Sequence, residues 1–440
     1  MKKKRLFIFE YISGGGYSQI DIPISLFCEG FGMLKSIITD FYRLDFEIST
    51  ILDYRIFLLS KYLPTNIIKK VESKEKFIRK FKTLVKNSTH VFIIAPETSN
   101  ILYNLTKIVK NYKKILLSTN LEGIKIGTSK INTHDFFKTN KLVTPRTYLI
   151  PYKKKNLYVE FIIEKLYKLG TPIIIKPEDG VGAESIYYFE TEDQIKAYFQ
   201  QHKKFLDINR NYIIQQYVEG LDLSASLIGT HSSSNFSIES PLILSINSQT
   251  VNFKNLNHTS EYFGGYTPVK DAKNICFNLK NAIKFSNFSK FTGYFGIDFI
   301  KKGDFQLYFI EINPRLTTSY IGLRNVINQN PAKLILNSKL NIIDPLKIEY
   351  HNFSLFSRIE LRSKNLISNK GLYEGTVAKL MKKIPEFVTP PISLNDSDHF
   401  SCFIATKTTD LESSKKRFKE ITQYLAKLGF IILKPIEPML

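Results

Sequence analysis

Lys176 stands at the end of an apolar run and just ahead of two glycines: Pro172–Gly182 reads P-I-I-I-K-P-E-D-G-V-G. A strand that delivers a lysine and then turns through Gly180 and Gly182 offers a phosphate a point charge and closely approaching backbone N–H groups. It is not a Walker A loop, because the lysine precedes the glycines and no G-K-S/T follows. Further on, Y-F-G-I-D-F-I (Tyr294–Ile300) and L-Y-F-I-E-I-N-P-R (Leu307–Arg315) are two strongly apolar stretches, each with one interior acid. Glu311 and Asn313 are two apart and share a strand face. A short turn at Lys302–Asp304 sets Asp298 beside Glu311. Two carboxylates and an amide oxygen on one face suit a hard cation such as Mg²⁺ bridging phosphates. Arg315 projects the same way if the strand continues through Pro314, and the plain alternative for it is a structural ion pair with Glu311. A glycine-rich turn alone is often only a hairpin. Gly14–Gly16 also follows a first strand, yet it lacks the G-x-G-x-x-G spacing of a dinucleotide site.

These groups need elements to hold them. Apolar runs at Leu6–Phe9, Ile48–Leu52, Val91–Ala95 and Ile115–Leu117 read as central parallel strands. Helix-like stretches near Ile22–Tyr42, Ser73–Asn87 and Asn100–Tyr112 separate them, so residues 1–120 form a small doubly wound βαβ domain. A helix is predicted from Ser129 to Thr139. Thr171–Val218 reads strand, glycine-rich loop, strand, helix and strand, and Ser224–Thr267 holds further strands with long polar loops. The spacing places a central domain over 121–340, divided at about 145–215 and 216–340. A tail over 341–440 looks separate, with a strand at Leu355–Glu360, turn residues at Ser368–Gly375, a Pro-rich break at Pro385–Pro391, a strand at Phe400–Ala405 and a helix near Leu411–Leu428.

The composition fits a chain with a large core. Of 440 residues, 43% are hydrophobic and 23% charged, ordinary globular usage that argues against disorder. At about 150 residues per domain the length allows two to three domains. Cys28, Cys276 and Cys402 lie far apart and make neither a metal-ligand spacing nor a disulfide framework. After M-K-K-K-R the apolar run stops at Glu10, too short for a secretory signal. No apolar stretch is long enough for a membrane helix, and a cytoplasmic location is expected. The net charge of +22 is spread along the chain, without the basic groove interleaved with aromatics that single-stranded nucleic acid requires. It reads as a solvated lysine-rich surface, and neither a nucleic-acid nor a membrane partner is expected.

Taken in order, K-P-E-D-G-V-G-A, I-I-Q-Q-Y-V-E-G-L-D-L-S-A-S, G-I-D-F-I and F-I-E-I-N-P-R resemble the ATP-grasp family over about Ser129–Arg315. The resemblance implies a mixed α/β and α+β chain: an ATP-grasp fold, an N-terminal βαβ (pre-ATP-grasp) domain and a small β-rich C-terminal domain. It implies ATP and Mg²⁺, or Mn²⁺ in its place, as cofactors. Lys130 and Lys176 match the phosphate-binding lysines, and Gly180 and Gly182 the flexible lid over the phosphates. Gln216, Tyr217 and Val218 match the hinge whose backbone meets adenine. Glu219 and Asp222 match acidic positions near base and ribose, Asp222 the closer fit to a ribose hydroxyl partner. Asp298, Glu311 and Asn313 match the metal ligands, and Arg315 the arginine at the transferred phosphate. Gln216 departs from the glutamate of many relatives, which leaves the polar contacts of the adenine pocket in doubt. The implied chemistry is a carboxylate phosphorylated by ATP and then attacked by an amine, giving an amide and ADP.

The segments R-L-F-I-F-E-Y-I-S-G-G-G-Y and E-Y-F-G-G-Y-T-P resemble a narrower branch near the tyramine–L-glutamate ligases of methanofuran and methylofuran biosynthesis. On that resemblance the acceptor site draws on Glu10, Tyr11, Tyr266 and Thr317–Ser319. Each has a plain alternative: Glu10 as a cap partner, the tyrosines as core, the Thr-Thr-Ser run as a helix start. Other readings are an ATP-grasp ligase for other amino acids, a biotin-carboxylase-like carboxylating relative, or a non-catalytic ATP- or nucleic-acid-binding module. The partners expected are small molecules, an amino-acid carboxylate and an amine. A homo-oligomer is left open, the tail serving either as a cap or as a dimer contact.

Overall fold

The computed structural model describes residues 3–151, 158–180, 186–201, 210–230, 240–252, 261–340, 348–363, 370–394 and 398–434. The N-terminal body is a parallel sheet of β1 (Arg5–Glu10), β2 (Glu47–Asp53), β3 (Ile67–Val71), β4 (His90–Ile94) and β5 (Ile115–Leu116) in the order β3-β2-β1-β4-β5. Leu6, Phe7, Ile8 and Phe9 are fully buried, as a central strand covered on both faces demands. The covering helices are α1 (Ile24–Tyr42), α2 (Ile78–Asn87) and α3 (Ile101–Asn111), close to the predicted spans. Strand β3 is a difference from the sequence reading. Its residues I-I-K-K-V alternate outward and inward at the sheet edge, where lysines are common, so no apolar run announces it.

Two short helices lead onward, α4 (Leu121–Gly127) and α5 (Lys130–Thr139). Ser129 caps α5, its hydroxyl accepting the Asn132 N–H at 3.1 Å, a role for which serine is well suited. A small antiparallel sheet follows: β6 (Thr147–Leu149), β7 (Ile173–Pro177), β8 (Tyr187–Phe189) and β9 (Tyr212–Gln216), ordered β6-β9-β7-β8. Helices α6 (Tyr158–Leu169) and α7 (Glu192–Gln201) cover one face and give it its own core around Ile162, Leu166, Ile173, Ile175 and Phe189.

The larger antiparallel sheet pairs β10 (Leu221–Gly229) with β11 (Leu242–Ser248) on one side. After the hairpin β12 (Val251–Asn252) and β13 (Glu261–Tyr262), strand β14 (Gly264–Thr267) and helix α8 (Ala272–Ile283), the chain returns. It adds β15 (Gly293–Lys302) and β16 (Gln306–Asn313), completing the order β11-β10-β15-β16. Two helices, α9 (Ser319–Val326) and α10 (Pro331–Lys339), pack this sheet toward the N-terminal body. The Lys339 ammonium binds Ser118 O at 2.8 Å and Thr292 O at 3.0 Å, tying the two together.

The tail forms β17 (Ser354–Arg362), α11 (Lys370–Lys383), β18 (Phe387–Ile392), β19 (His399–Ala405), α12 (Leu411–Lys427) and β20 (Ile431–Lys434). It is not self-contained: its sheet, β14-β17-β19-β18 with β20 on β17, takes in β14 from the middle of the chain. Of the turn residues expected at Ser368–Gly375, Lys370–Gly375 lie in α11 and the first two fall outside the described residues, while the Pro-rich break contains most of strand β18. Prolines 390 and 391 are tolerated because β18 lies at the sheet edge, where a missing N–H costs no ladder bond. Among the described residues no helix is long and apolar enough to cross a membrane.

Candidate active site

A cavity of about 530 Å³ opens where three units meet. The small sheet supplies β7 and the end of β9, the larger sheet supplies β10, β15 and β16, and the N-terminal body supplies the carboxyl end of β1, the start of α1 and the loop after β4. Lys130, Lys176, Gly180, Gln216, Tyr217, Val218, Asp222, Asp298, Glu311, Asn313 and Arg315 all line it. These predicted residues, up to 185 chain positions apart (Lys130 to Arg315), thus meet in one space. Gly182 lies outside the described residues.

Strand register explains the acidic pair. Asp298 is directly opposite Glu311, and Gly296 opposite Asn313, with a bulge after Asp298. Asp298 Oδ1 accepts from Gln249 Nε2 and Oδ2 from Asn313 Nδ2, both at 2.9 Å. Burial, with Glu311 alongside, pushes the Asp298 carboxyl up to about 8. Burial would raise Glu311 too, but Lys130 and Lys176 outweigh it and hold Glu311 below the usual carboxylate range. The Lys130 ammonium is 3.5 Å from Glu311 Oε2 and donates to Gly180 O at 2.9 Å. Lys176 is buried, which pushes its amine down to about 8.

The first two residues after β7 are anchored from different directions. Ser129 hydrogen-bonds Glu178. Asp179 pairs with Arg210 Nε at 3.3 Å and accepts the Ser99 N–H at 3.3 Å. Arg315 does not pair with Glu311. Its Nε is 3.1 Å from Glu97 Oε2 and Nη1 donates to Leu316 O at 3.1 Å. Gln216 turns its side-chain oxygen to Arg146 Nε at 3.3 Å. Tyr217 packs edge-on against Tyr188, the ring centroids 5.4 Å apart. Asp222 is largely buried, which pushes it up to about 6.

Some expected residues fall elsewhere. Glu219 is exposed and does not line the cavity, because the chain between β9 and β10 turns it outward. Tyr11 packs edge-on against Tyr17 and Phe77, and Tyr266 stacks on Phe353 at 5.5 Å. Neither lines the cavity; both are partly buried and pack against the hydrophobic core. Glu10 and Thr317–Ser319 do line the cavity. Ser319 also opens α9. Sequence reasoning missed Glu97, Gln249, Arg210, Glu29 and Tyr262. Glu97 sits directly after a predicted strand, which was a usable signal; Gln249 and Arg210 lie in polar loops that carry none.

Among the described residues no cluster of three or more His, Cys, Asp or Glu could hold a metal. The Asp298–Glu311–Asn313 set nevertheless has the chemistry of a hard-cation site completed by phosphate oxygens. Two facing carboxylates, one of them favouring its proton, are what a divalent cation would stabilise. A pH dependence follows. With Asp298 pushed up to about 8, it is mostly protonated at pH 7 and must release that proton to bind metal. Mg²⁺ uptake is expected to tighten as pH rises through 8 and to level off above it. Calorimetry at pH 7 in two buffers of different ionisation enthalpy should show about one proton released per ion; no release would remove Asp298 from the ligand set.

A nucleotide-sized cavity between two antiparallel sheets, with two lysines facing a carboxylate pair, defines a phosphate-handling class of enzyme. Comparison with known proteins agrees. The ATP-grasp domain model matches residues 128–319 and the pre ATP-grasp 3 domain model residues 46–124, together more than half of the chain. The tyramine–L-glutamate ligase of Methanocaldococcus jannaschii is 27% identical over 358 residues, 80% of this chain and 94% of that protein. The same enzyme from Methanocaldococcus fervens is 27% identical over 363 residues, covering 80% and 99%. A biotin carboxylase structure from Campylobacter jejuni superposes with a TM-score of 0.66 at 12% identity, covering 97% of this chain and 92% of that one. The chain belongs to the ATP-grasp family. It is an ATP-dependent carboxylate–amine ligase, forming a carbon–nitrogen bond and resembling the tyramine–L-glutamate ligases.

Proposed function

We propose that the chain joins the side-chain carboxylate of glutamate to tyramine through an acyl phosphate, in the assembly of a methanofuran-type cofactor. The observation that carries this is the convergence of Lys130, Lys176, Asp298, Glu311 and Arg315 on one cavity, together with relatives of that name covering 80% of the chain. Lys130 and Lys176 hold the ATP phosphates, and Gly180 lies in the loop over them. The backbone of Gln216–Val218 faces adenine and Asp222 takes a ribose hydroxyl. Asp298, Glu311 and Asn313 hold Mg²⁺, or Mn²⁺ in its place, which neutralises phosphate charge when bound.

The carboxylate oxygen attacks the γ-phosphorus as the bond to ADP breaks, and Arg315, steadied by Glu97, faces the transferred group. Charge spreads over the phosphoryl oxygens, so preorganised cations do most of the work and no protein nucleophile is needed. The acyl phosphate must be kept from water, which the meeting of three units around the cavity favours. The test is ADP release by the purified chain with ATP, Mg²⁺, glutamate and tyramine. Release that needs both substrates, with the amide as product, is expected; a different acid–amine pair giving the product, and this pair none, would overturn it.

A further inference from the structure

One wall of the cavity is not used by the phosphate chemistry. A face of α1 presents Leu26, Glu29, Gly30 and Met33 there, residues three and four apart that share one side of a helix. Tyr17 and Tyr262 also line the cavity, Tyr262 close enough to Glu29 to feel its charge. The wall is mostly apolar, and two carboxylates stand in it.

Glu10 is buried and held on both oxygens. Its oxygens accept the Ile12 and Ser13 N–H groups at 3.0 and 2.7 Å. Gly30 packs so closely that a Cβ there would come within 2.8 Å of the Glu10 carboxyl carbon and both oxygens, which locks it in place. Glu29 is different. One oxygen accepts from Thr318 Oγ1 at 3.1 Å. The other is 3.9 Å from Arg358 Nη1, too far for a hydrogen bond. Arg358 instead lies 3.3 Å from Glu360 and over the Phe263 ring. Glu29 therefore has acceptor capacity left over, and its side chain keeps 17% of its surface exposed. Burial raises it above the usual carboxylate range, against the pull of Arg358.

The carboxylate is also rigidly mounted. Asp40, further along α1, takes a bidentate pair from Arg324 of α9, at 2.6 and 2.9 Å, and the Tyr320 hydroxyl at 2.9 Å. Charge-assisted forks of this kind fix orientation. They hold α1, which carries Glu29, against α9, whose N-cap Thr318 touches it. On the other side Lys35 and Cys28 of α1 are bonded to β18 through Phe387 O and Thr389 Oγ1.

We propose that Glu29 binds the ammonium group of the amine substrate, that Leu26, Met33 and Tyr262 take its apolar body, and that Glu29 accepts the proton the nitrogen must lose before attack. This rests on the ligase reading above and assigns its amine subsite. The ammonium passes one proton to the Glu29 carboxylate. The freed lone pair forms the C–N bond while the acyl C–O bond breaks toward phosphate, and the second nitrogen proton leaves with the phosphate. An amino acid acting as the amine fits this wall poorly, because its α-carboxylate would face Glu10 and Glu29; of the cations lining the cavity, Arg315 is already paired with Glu97, and Lys130, Lys176 and Arg210 stand on other elements.

The test compares two nucleophiles on the full chain with ATP, Mg²⁺ and glutamate. Hydroxylamine is small and largely uncharged near pH 7, so it needs no ammonium site and traps the acyl phosphate as a hydroxamate. For Glu29→Gln, losing a charge-assisted hydrogen bond should cut kcat/KM for tyramine by about 10- to 100-fold and remove a titration from its pH profile. Hydroxamate formation persists and the KM for glutamate holds, which also shows that the variant is folded. Glu29→Asp should fall between. A rise in the KM for glutamate with tyramine unaffected, or equal loss with both nucleophiles in a variant that melts like wild type, overturns the assignment. Wild-type hydroxamate from glutamate but no coupling to tyramine, phenethylamine or dopamine also overturns it. No wild-type hydroxamate from glutamate would instead strike the ligase reading's choice of acid; the same comparison with the acid that does react then decides Glu29.

Discussion

Replacing Glu311 with glutamine is expected to lower the rate of ADP release by about 10²–10³-fold or more, the usual cost of removing one preorganised electrostatic group. Glu311 faces Asp298 across the strand pair and lies 3.5 Å from the Lys130 ammonium. The substitution keeps the shape and removes the charge, so the proposed cation site loses a ligand and Lys130 its counter-charge. The fold should persist, because Glu311 sits on a strand whose apolar neighbours Phe309 and Ile312 carry the packing. A coupled ADP assay with a thermal melt checks both halves. Turnover close to wild type would take Glu311 out of the proposed metal site.

Lys176→Met is expected to remove most of the ATP-induced rise in melting temperature and to lower kcat/KM for ATP by a similar factor of about 10²–10³. Methionine keeps the buried stem, so the outcome isolates the charge. The sign of its effect on the nucleotide-free protein is also set. The folded amine is pushed down to about 8 by burial, below its unfolded value, so charging it costs stability. That cost is small above the unfolded value of 10.5, grows as pH falls from there toward 8 and is nearly complete below it. The variant should therefore gain stability relative to wild type on going from pH 9.5 toward pH 7. Melting curves across that range decide it, and an unchanged ATP shift would displace Lys176 from the phosphate.

Much of this geometry could be read from the chain because strand chemistry is local. Lys176 at the end of I-I-I and the two-residue spacing of Glu311 and Asn313 follow from period-two alternation, and the register of β15 and β16 follows from the short turn between them. Fully buried parallel strands such as β1 and β4 announce themselves as apolar runs. Less legible were elements whose character is set by distant partners. The edge strand β3 has two lysines among five residues, and β18 tolerates two prolines because it is the last strand of its sheet among the described residues. Helices α6, α8 and α10 went unread, although Asn330 followed by Pro331 was a usable start signal for α10; the Thr-Thr-Ser run, weighed as a helix start, does open α9. Glu97, Gln249 and Glu29 acquire meaning only when α1, the loop after β4 and the loop after β11 are folded around Arg315, Asp298 and Thr318. Glu219, by contrast, was placed by likeness to a motif, and the turn after β9 carries it away.

The pairing of β14 with β17 bears on how the protein is made. Gly264–Thr267 leaves the ribosome well before Ser354–Arg362 does, and until then one of its edges has no partner. Unpaired edges invite association with other chains. Final closure of this part of the molecule therefore has to wait until Ser354–Arg362 has been made, and a nascent chain stalled near Leu340 would be a client for chaperones.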